Sequence, residues 1–168
     1  MKETGDTESS GIGLGEMLER GGIYYSLKGS SIHEILGTLI KKIPGSKTMD
    51  AEKLLKAVME REALMSTGIG NGIAIPHPRN PAAESSDKQF AALAFLDHPM
   101  DWKAPDGNPV DTLFLIVSAS ARYHLKMLSV IAFLCQNEEF TGLMKERVSQ
   151  ETLIRFIKES EQKWIRGE

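Results

Sequence analysis

Two uninterrupted apolar runs limit the folds open to this chain more than any other feature. Residues 90–96 read FAALAFL and residues 113–117 read LFLIV, without a polar side chain in either. Each has the length of a β-strand. Successive strand side chains point to opposite faces, so a strand that is apolar at every position needs cover on both. Between the runs, Pro105, Asp106, Gly107, Asn108 and Pro109 supply dense turn chemistry.

Helices to provide the cover are legible on either side. Ile32, Ile35, Leu36, Leu39, Ile40 and Ile43 make one helical stripe, preceded by Ser31 and Glu34 at capping-box spacing and stopped by Pro44-Gly45. Ala51, Leu54, Leu55, Val58 and Met59 repeat the pattern. Further on, His124, Met127, Leu128, Ile131, Leu134 and Cys135 share a face. Two shorter helices are expected near residues 138–145 and from about Gln150, the latter carrying Leu153, Ile154, Phe156, Ile157 and Trp164. Near the start, a short helix over residues 12–19 ends at Gly21-Gly22, and Ile23 to Tyr25 form an edge strand or extended link. The expected fold is α/β, a compact single-domain sandwich with a small mixed β-sheet flanked by helices.

At 168 residues the chain fits one domain, and with 41% apolar residues it can bury a core without disulfides. The lone cysteine, Cys135, has no internal partner, which fits a cytoplasmic setting. A formal charge of −3 and no Lys/Arg block argue against nucleic acid or an anionic membrane as partner. No apolar run nears the roughly 20 residues of a membrane span. No hydrophobic segment follows Lys2, so a secretory signal is not expected. The organisation expected is a flexible tail over residues 1–11, a domain over 12–164 and a short tail over 165–168.

The character of the chain changes over LMSTGIGNGIAIPHP, residues 64–78. Gly68, Gly70 and Gly72 suit a backbone that turns tightly or approaches a ligand closely. The run lacks the terminal Lys-Ser/Thr of a phosphate loop and the spacing of a dinucleotide fingerprint. His77 ends the short apolar stretch, held between Pro76 and Pro78, both of which restrict the backbone, as a structural turn or a rigidly presented ring would require. His124, at the start of its helix, reads from its context as a boundary histidine. His33 and His98 read as surface or turn residues. Four dispersed histidines and one cysteine offer no compact metal-ligand pattern, and no G-x-S-x-G run marks a hydrolase. A rigid neutral imidazole, with Arg61 to meet an anion and His124 to donate a hydrogen bond, suits nucleophilic attack on phosphorus.

The combination of Arg61-Glu62, the run Ser66-Thr67-Gly68-Ile69-Gly70-Asn71-Gly72-Ile73-Ala74-Ile75-Pro76-His77, and His124-Leu125 resembles the type-2 enzyme IIA family of the bacterial phosphoenolpyruvate-dependent sugar phosphotransferase system. In stand-alone size the chain is most similar to the nitrogen-regulatory members. The segment DWKAPDGNPVDTLFLI, residues 101–116, also looks like that family's central strand–turn–strand region.

The resemblance implies that His77 accepts a phosphoryl group, that His124 assists, and that Arg61 lies by the same pocket. Ser66, Thr67, Gly68, Gly70, Asn71 and Gly72 are candidate pocket residues. The donor implied is a histidine-containing phosphocarrier protein. The acceptor is an enzyme IIB, or the target is a regulated transporter or kinase. No cofactor and no metal is expected, nor direct membrane insertion. Two departures stand out: Pro78-Arg79 follows His77, where Gly or Ala before the arginine is more usual, and SASARY precedes His124 without the proline often found there. A different reading of the same chain is a regulatory binding protein that docks according to its phosphorylation state.

Overall fold

Residues 12–44 and 50–167 are described by a computed structural model of the chain. The expected tail over residues 1–11 and the Gly45 of the helix stop lie outside them. In chain order the elements are α1 (Leu14–Gly21), β1 (Ile23–Leu27), α2 (Ile32–Lys42), α3 (Ala51–Leu64), β2 (Gly68–Gly70), β3 (Ile73–Ala74), β4 (Phe90–Met100), β5 (Val110–Val117), α4 (Ala121–Cys135), α5 (Glu138–Lys145) and α6 (Gln150–Ile165).

The five strands form one mixed sheet in the order β1-β4-β5-β3-β2. The two apolar runs are its centre: β4 pairs antiparallel with β5, with Leu93 opposite Phe114. Their alternation divides the core. Ala91, Leu93, Phe95, Phe114 and Ile116 face a cluster completed by α1, α4, α5 and α6. Ala92, Ala94, Leu96, Leu113, Leu115 and Val117 face a second cluster completed by α2 and α3. Full burial of both strand faces therefore produces a three-layer α/β/α arrangement, the small mixed sheet between helices that the apolar runs require.

Local chemistry sets the element ends. Ser31 caps α2 by accepting from the Glu34 amide, but the return arm differs from the expected box. The Glu34 carboxylate accepts from the amide and hydroxyl of Ser30 rather than from Ser31. The Asp50, Ser120, Asn137 and Ser149 side chains cap α3, α4, α5 and α6. β1 is an edge strand, parallel to β4. The helix beginning at Gln150 is not short: it runs for 16 residues, since Leu153, Ile154 and Ile157 give it a buried face. No helix among the described residues is long and apolar enough to cross a membrane.

Candidate functional site

The glycine-rich segment is a β-hairpin. β2 and β3 pair antiparallel across Asn71 and Gly72, whose φ values of 56° and 79° are both positive. Two positive φ values at the turn match the right-handed twist of the strands it joins, which is why Asn-Gly recurs there. β3 then runs parallel to β5, and the Pro76 carbonyl accepts from the Ile116 amide, carrying the pairing one step past the strand. His77 follows at the carboxyl end of β3. β5 ends nearby and leads into α4, whose opening turn carries His124. Carboxyl ends of parallel strands are where open α/β sheets place their sites.

This topology brings the two imidazoles together. The ring centroids of His77 and His124 are 4.5 Å apart, with planes inclined by 47°. His77 Nδ1 lies 2.8 Å from the Ile75 carbonyl oxygen. A carbonyl only accepts, so Nδ1 carries the proton, and in the neutral ring Nε2 keeps its lone pair. Both rings are half-buried. Burial lowers the His77 pKa first; the Ile75 hydrogen bond opposes that, Arg61 lowers it further and Glu62 raises it. His124 is lowered to about 4, by burial first, then by His77 and by Arg61. Near neutral pH the pair is thus two uncharged imidazoles within reach of the Arg61 charge. Arg61 sits in the last turn of α3 and donates to the Met65 carbonyl at 2.7 Å.

The other expected residues shape the hairpin that leads to His77, with Asn71 and Gly72 at its turn, the end of β3 away from the imidazoles. The Ser66 hydroxyl donates to the Trp102 carbonyl at 2.5 Å and accepts from the Gly68 amide. Buried Thr67 donates both its amide and its hydroxyl to the Glu62 carboxylate. The Asn71 amide donates to Asp106 at 2.9 Å, tying the hairpin tip to the 105–109 turn. Gly70 and Gly72 flank Asn71 with positive φ. His33 is exposed, and His98 faces solvent beside Asp97.

Two contributors escape a reading of residue types. Ile75 acts through its carbonyl, which any residue would provide. Glu62 stands out in sequence only as the neighbour of Arg61; its spacing from Thr67 is the signal that points to its contacts.

A hollow of about 60 Å³ borders His124, lined by Pro78, Arg79, Ser118 and Ala121 among others. A larger one, about 500 Å³, is lined by Glu19, Arg155, Lys158 and other residues, and includes neither imidazole. Among the described residues no group of three or more His, Cys, Asp or Glu side chains is placed to hold a metal ion.

Solved enzyme IIA proteins share this layered fold. The nitrogen regulatory protein IIA-Ntr of Neisseria meningitidis matches with a TM-score of 0.72 at 24% identity, over 85% of this chain and 97% of that one. Enzyme IIA mannitol of Escherichia coli, solved in complex with phosphorylated enzyme IIB mannitol, matches at 0.63 and 15% identity, over 80% and 92%.

The chain belongs to the family described as phosphoenolpyruvate-dependent sugar phosphotransferase system, EIIA 2, which matches residues 16–160. Curated relatives include the nitrogen regulatory protein of Pseudomonas aeruginosa, 32% identical over 87% of this chain and 95% of that one. That of Bradyrhizobium diazoefficiens is 34% identical over 71% and 78%. Membership places the chain among proteins of phosphoryl transfer and its regulation.

Proposed function

We propose that the chain is a cytoplasmic, reversible phosphohistidine carrier, with residues 12–164 as its working domain. His77 Nε2 attacks the phosphorus of a phosphohistidine on a histidine-containing phosphocarrier protein. The donor's P–N bond breaks, its electron pair returns to the donor ring, and a new P–N bond forms at Nε2. The group then passes to an enzyme IIB or remains as a signal.

The observation that carries this reading is the His77 ring itself: proton fixed on Nδ1 by Ile75, Nε2 unprotonated, second imidazole 4.5 Å away. In phosphoryl transfer the protein mainly positions the reactants and stabilises the equatorial oxygens. Arg61 supplies positive charge, and His124, neutral at its lowered pKa, has one ring N–H to donate. Depressed basicity keeps both rings from being charged before the phosphoryl group arrives.

A protein donor also suits the surroundings. The hollow by His124, at about 60 Å³, is far smaller than the roughly 300 Å³ at which small-molecule pockets begin. Leu64, Met65 and Leu125, neighbours in sequence of Arg61 and His124, expose 62%, 71% and 63% of their surfaces, which suits a macromolecular face docking over the site.

The deciding experiment incubates the chain with a phosphorylated carrier and measures intact mass under non-acidic conditions. A single added phosphoryl group, absent from His77→Ala, is expected. No added mass on the wild-type chain would overturn the reading.

A regulatory role has its own support: near full-length relatives are nitrogen regulatory proteins. A phosphoryl group on His77 adds charge and acceptor oxygens to the docking face, favouring one partner and opposing another. Pull-downs with the phosphorylated chain and with His77→Ala are expected to recover different transporters, kinases or other enzymes; identical profiles would count against a switch.

A further inference from the structure

An unbroken line of hydrogen bonds runs from the end of α3 to the imidazole of His77. The Glu62 carboxylate accepts from the Thr67 amide at 3.0 Å through one oxygen and from the Thr67 hydroxyl at 2.6 Å through the other. The Thr67 carbonyl accepts from the Ile75 amide at 3.0 Å. The Ile75 carbonyl lies 2.8 Å from His77 Nδ1. Thr67 and Ile75 are 6% and 4% exposed, so water competes little for these bonds. We infer that Glu62 is a positioning residue for His77: by gripping Thr67 at two points, it holds the hairpin in the register that aims the Ile75 carbonyl at Nδ1 and leaves Nε2 open.

The inference rests on the carrier reading and adds a part that the imidazoles and Arg61 do not supply. A single amide–carboxylate bond would let the Thr67 backbone pivot. Two bonds from one carboxylate fix both its position and its rotation, and each is charge-assisted. Beyond Thr67 the link is the backbone of Ile75, whose N–H is held by Thr67 and whose C=O faces Nδ1, so a shift at Thr67 displaces Ile75 and with it the acceptor that selects the tautomer of His77. Charge has a local part too, since Glu62 opposes the effect of adjacent Arg61 on the same ring.

A purely structural role, closing the end of α3, predicts a different outcome, and ring nitrogen-15 chemical shifts of His77 separate the two. In the wild type, Nδ1 is expected at a protonated shift and Nε2 at an unprotonated one. Glu62→Ala should mix the tautomers and slow phosphoryl acceptance about tenfold, the scale of a small misplacement of a reacting group. Glu62→Gln should restore the wild-type tautomer, because its amide can accept from the Thr67 N–H and donate to the Thr67 hydroxyl oxygen. Thr67→Val, which keeps the backbone amide and loses the hydroxyl, should fall between them and serves if Glu62→Ala does not fold. Wild-type shifts in Glu62→Ala, or in Thr67→Val if that variant is the one that folds, overturn the inference even if the melting temperature drops. So does a mixed tautomer with an unchanged transfer rate. The shifts need no phosphoryl donor, so they decide the part of Glu62 even if the wild-type chain takes no phosphoryl group and the carrier reading fails.

Discussion

A half-buried imidazole has two properties that its sequence context leaves open: which nitrogen holds the proton, and how readily the ring accepts a second one. For His77 the backbone of Ile75 answers the first, and burial with the nearby Arg61 charge drives the second downward. His77→Ala is expected to abolish phosphoryl acceptance, while His124→Ala still accepts but transfers more slowly, both read by intact mass over time. Arg61→Ala should raise the barrier to transfer by about 1–3 kcal/mol, the worth of hydrogen bonds to a charged group, measured as the acceptance rate. Protonation has a stability consequence as well. His124 has its pKa lowered from 6.5 to about 4, so between those values the unfolded chain binds more protons than the folded one. Stability should therefore be greatest above pH 6.5 and fall as the pH drops toward 4, as urea unfolding across that range would reveal; His124→Gln should flatten the slope.

Among the elements, the hairpin that delivers His77 depends most on residue identity. Gly72 has φ of 79°, and a Cβ there would stand 3.1 Å from an Asp111 carboxylate oxygen. Gly72→Ala should cost about 1–2 kcal/mol from the left-handed conformation, seen as a lower urea midpoint. The glycine spacing signalled a tight turn in the sequence, and the turn is there. What spacing could not convey is that Thr67 and Ile75 bond across the hairpin, because that register follows from strand pairing. Helix α3 shows the same boundary. Its stripe is legible, yet only Leu54 and Val58 are fully buried, while Ala51, Leu55 and Met59 pack against the same core at its margin. In the capping of α2, Ser31 is readable from the sequence, while the pairing of the Glu34 carboxylate with Ser30 depends on how the chain enters the helix.

Across the whole molecule, elements far apart in sequence are neighbours in one layer, as α1 and α6 are. The Glu161 carboxylate of α6 accepts from the Leu14 and Gly15 amides, closing the start of α1 at 2.9 Å to each. At its other end α1 meets the sheet through Gly21, where any Cβ would collide with the Ala91 carbonyl of β4. Gly21→Ala should lose about 1–3 kcal/mol through overpacking against backbone that cannot move aside. Urea unfolding measures it, and Gly142→Ala, where a Cβ meets nothing, is the matched control. The two doubly buried strands, the helical stripes that cover them, and a histidine stiffened between prolines are local properties of the chain. Each of these is written in residue preference and period along a short stretch of chain. Packing of distant segments is what sets β3 beside β5 and so His77 against His124, lowers the basicity of both rings by burial, and brings the Glu62 carboxylate onto Thr67. Strand order joins segments whose separation along the chain leaves no periodic trace, and desolvation exists only once the layers have closed.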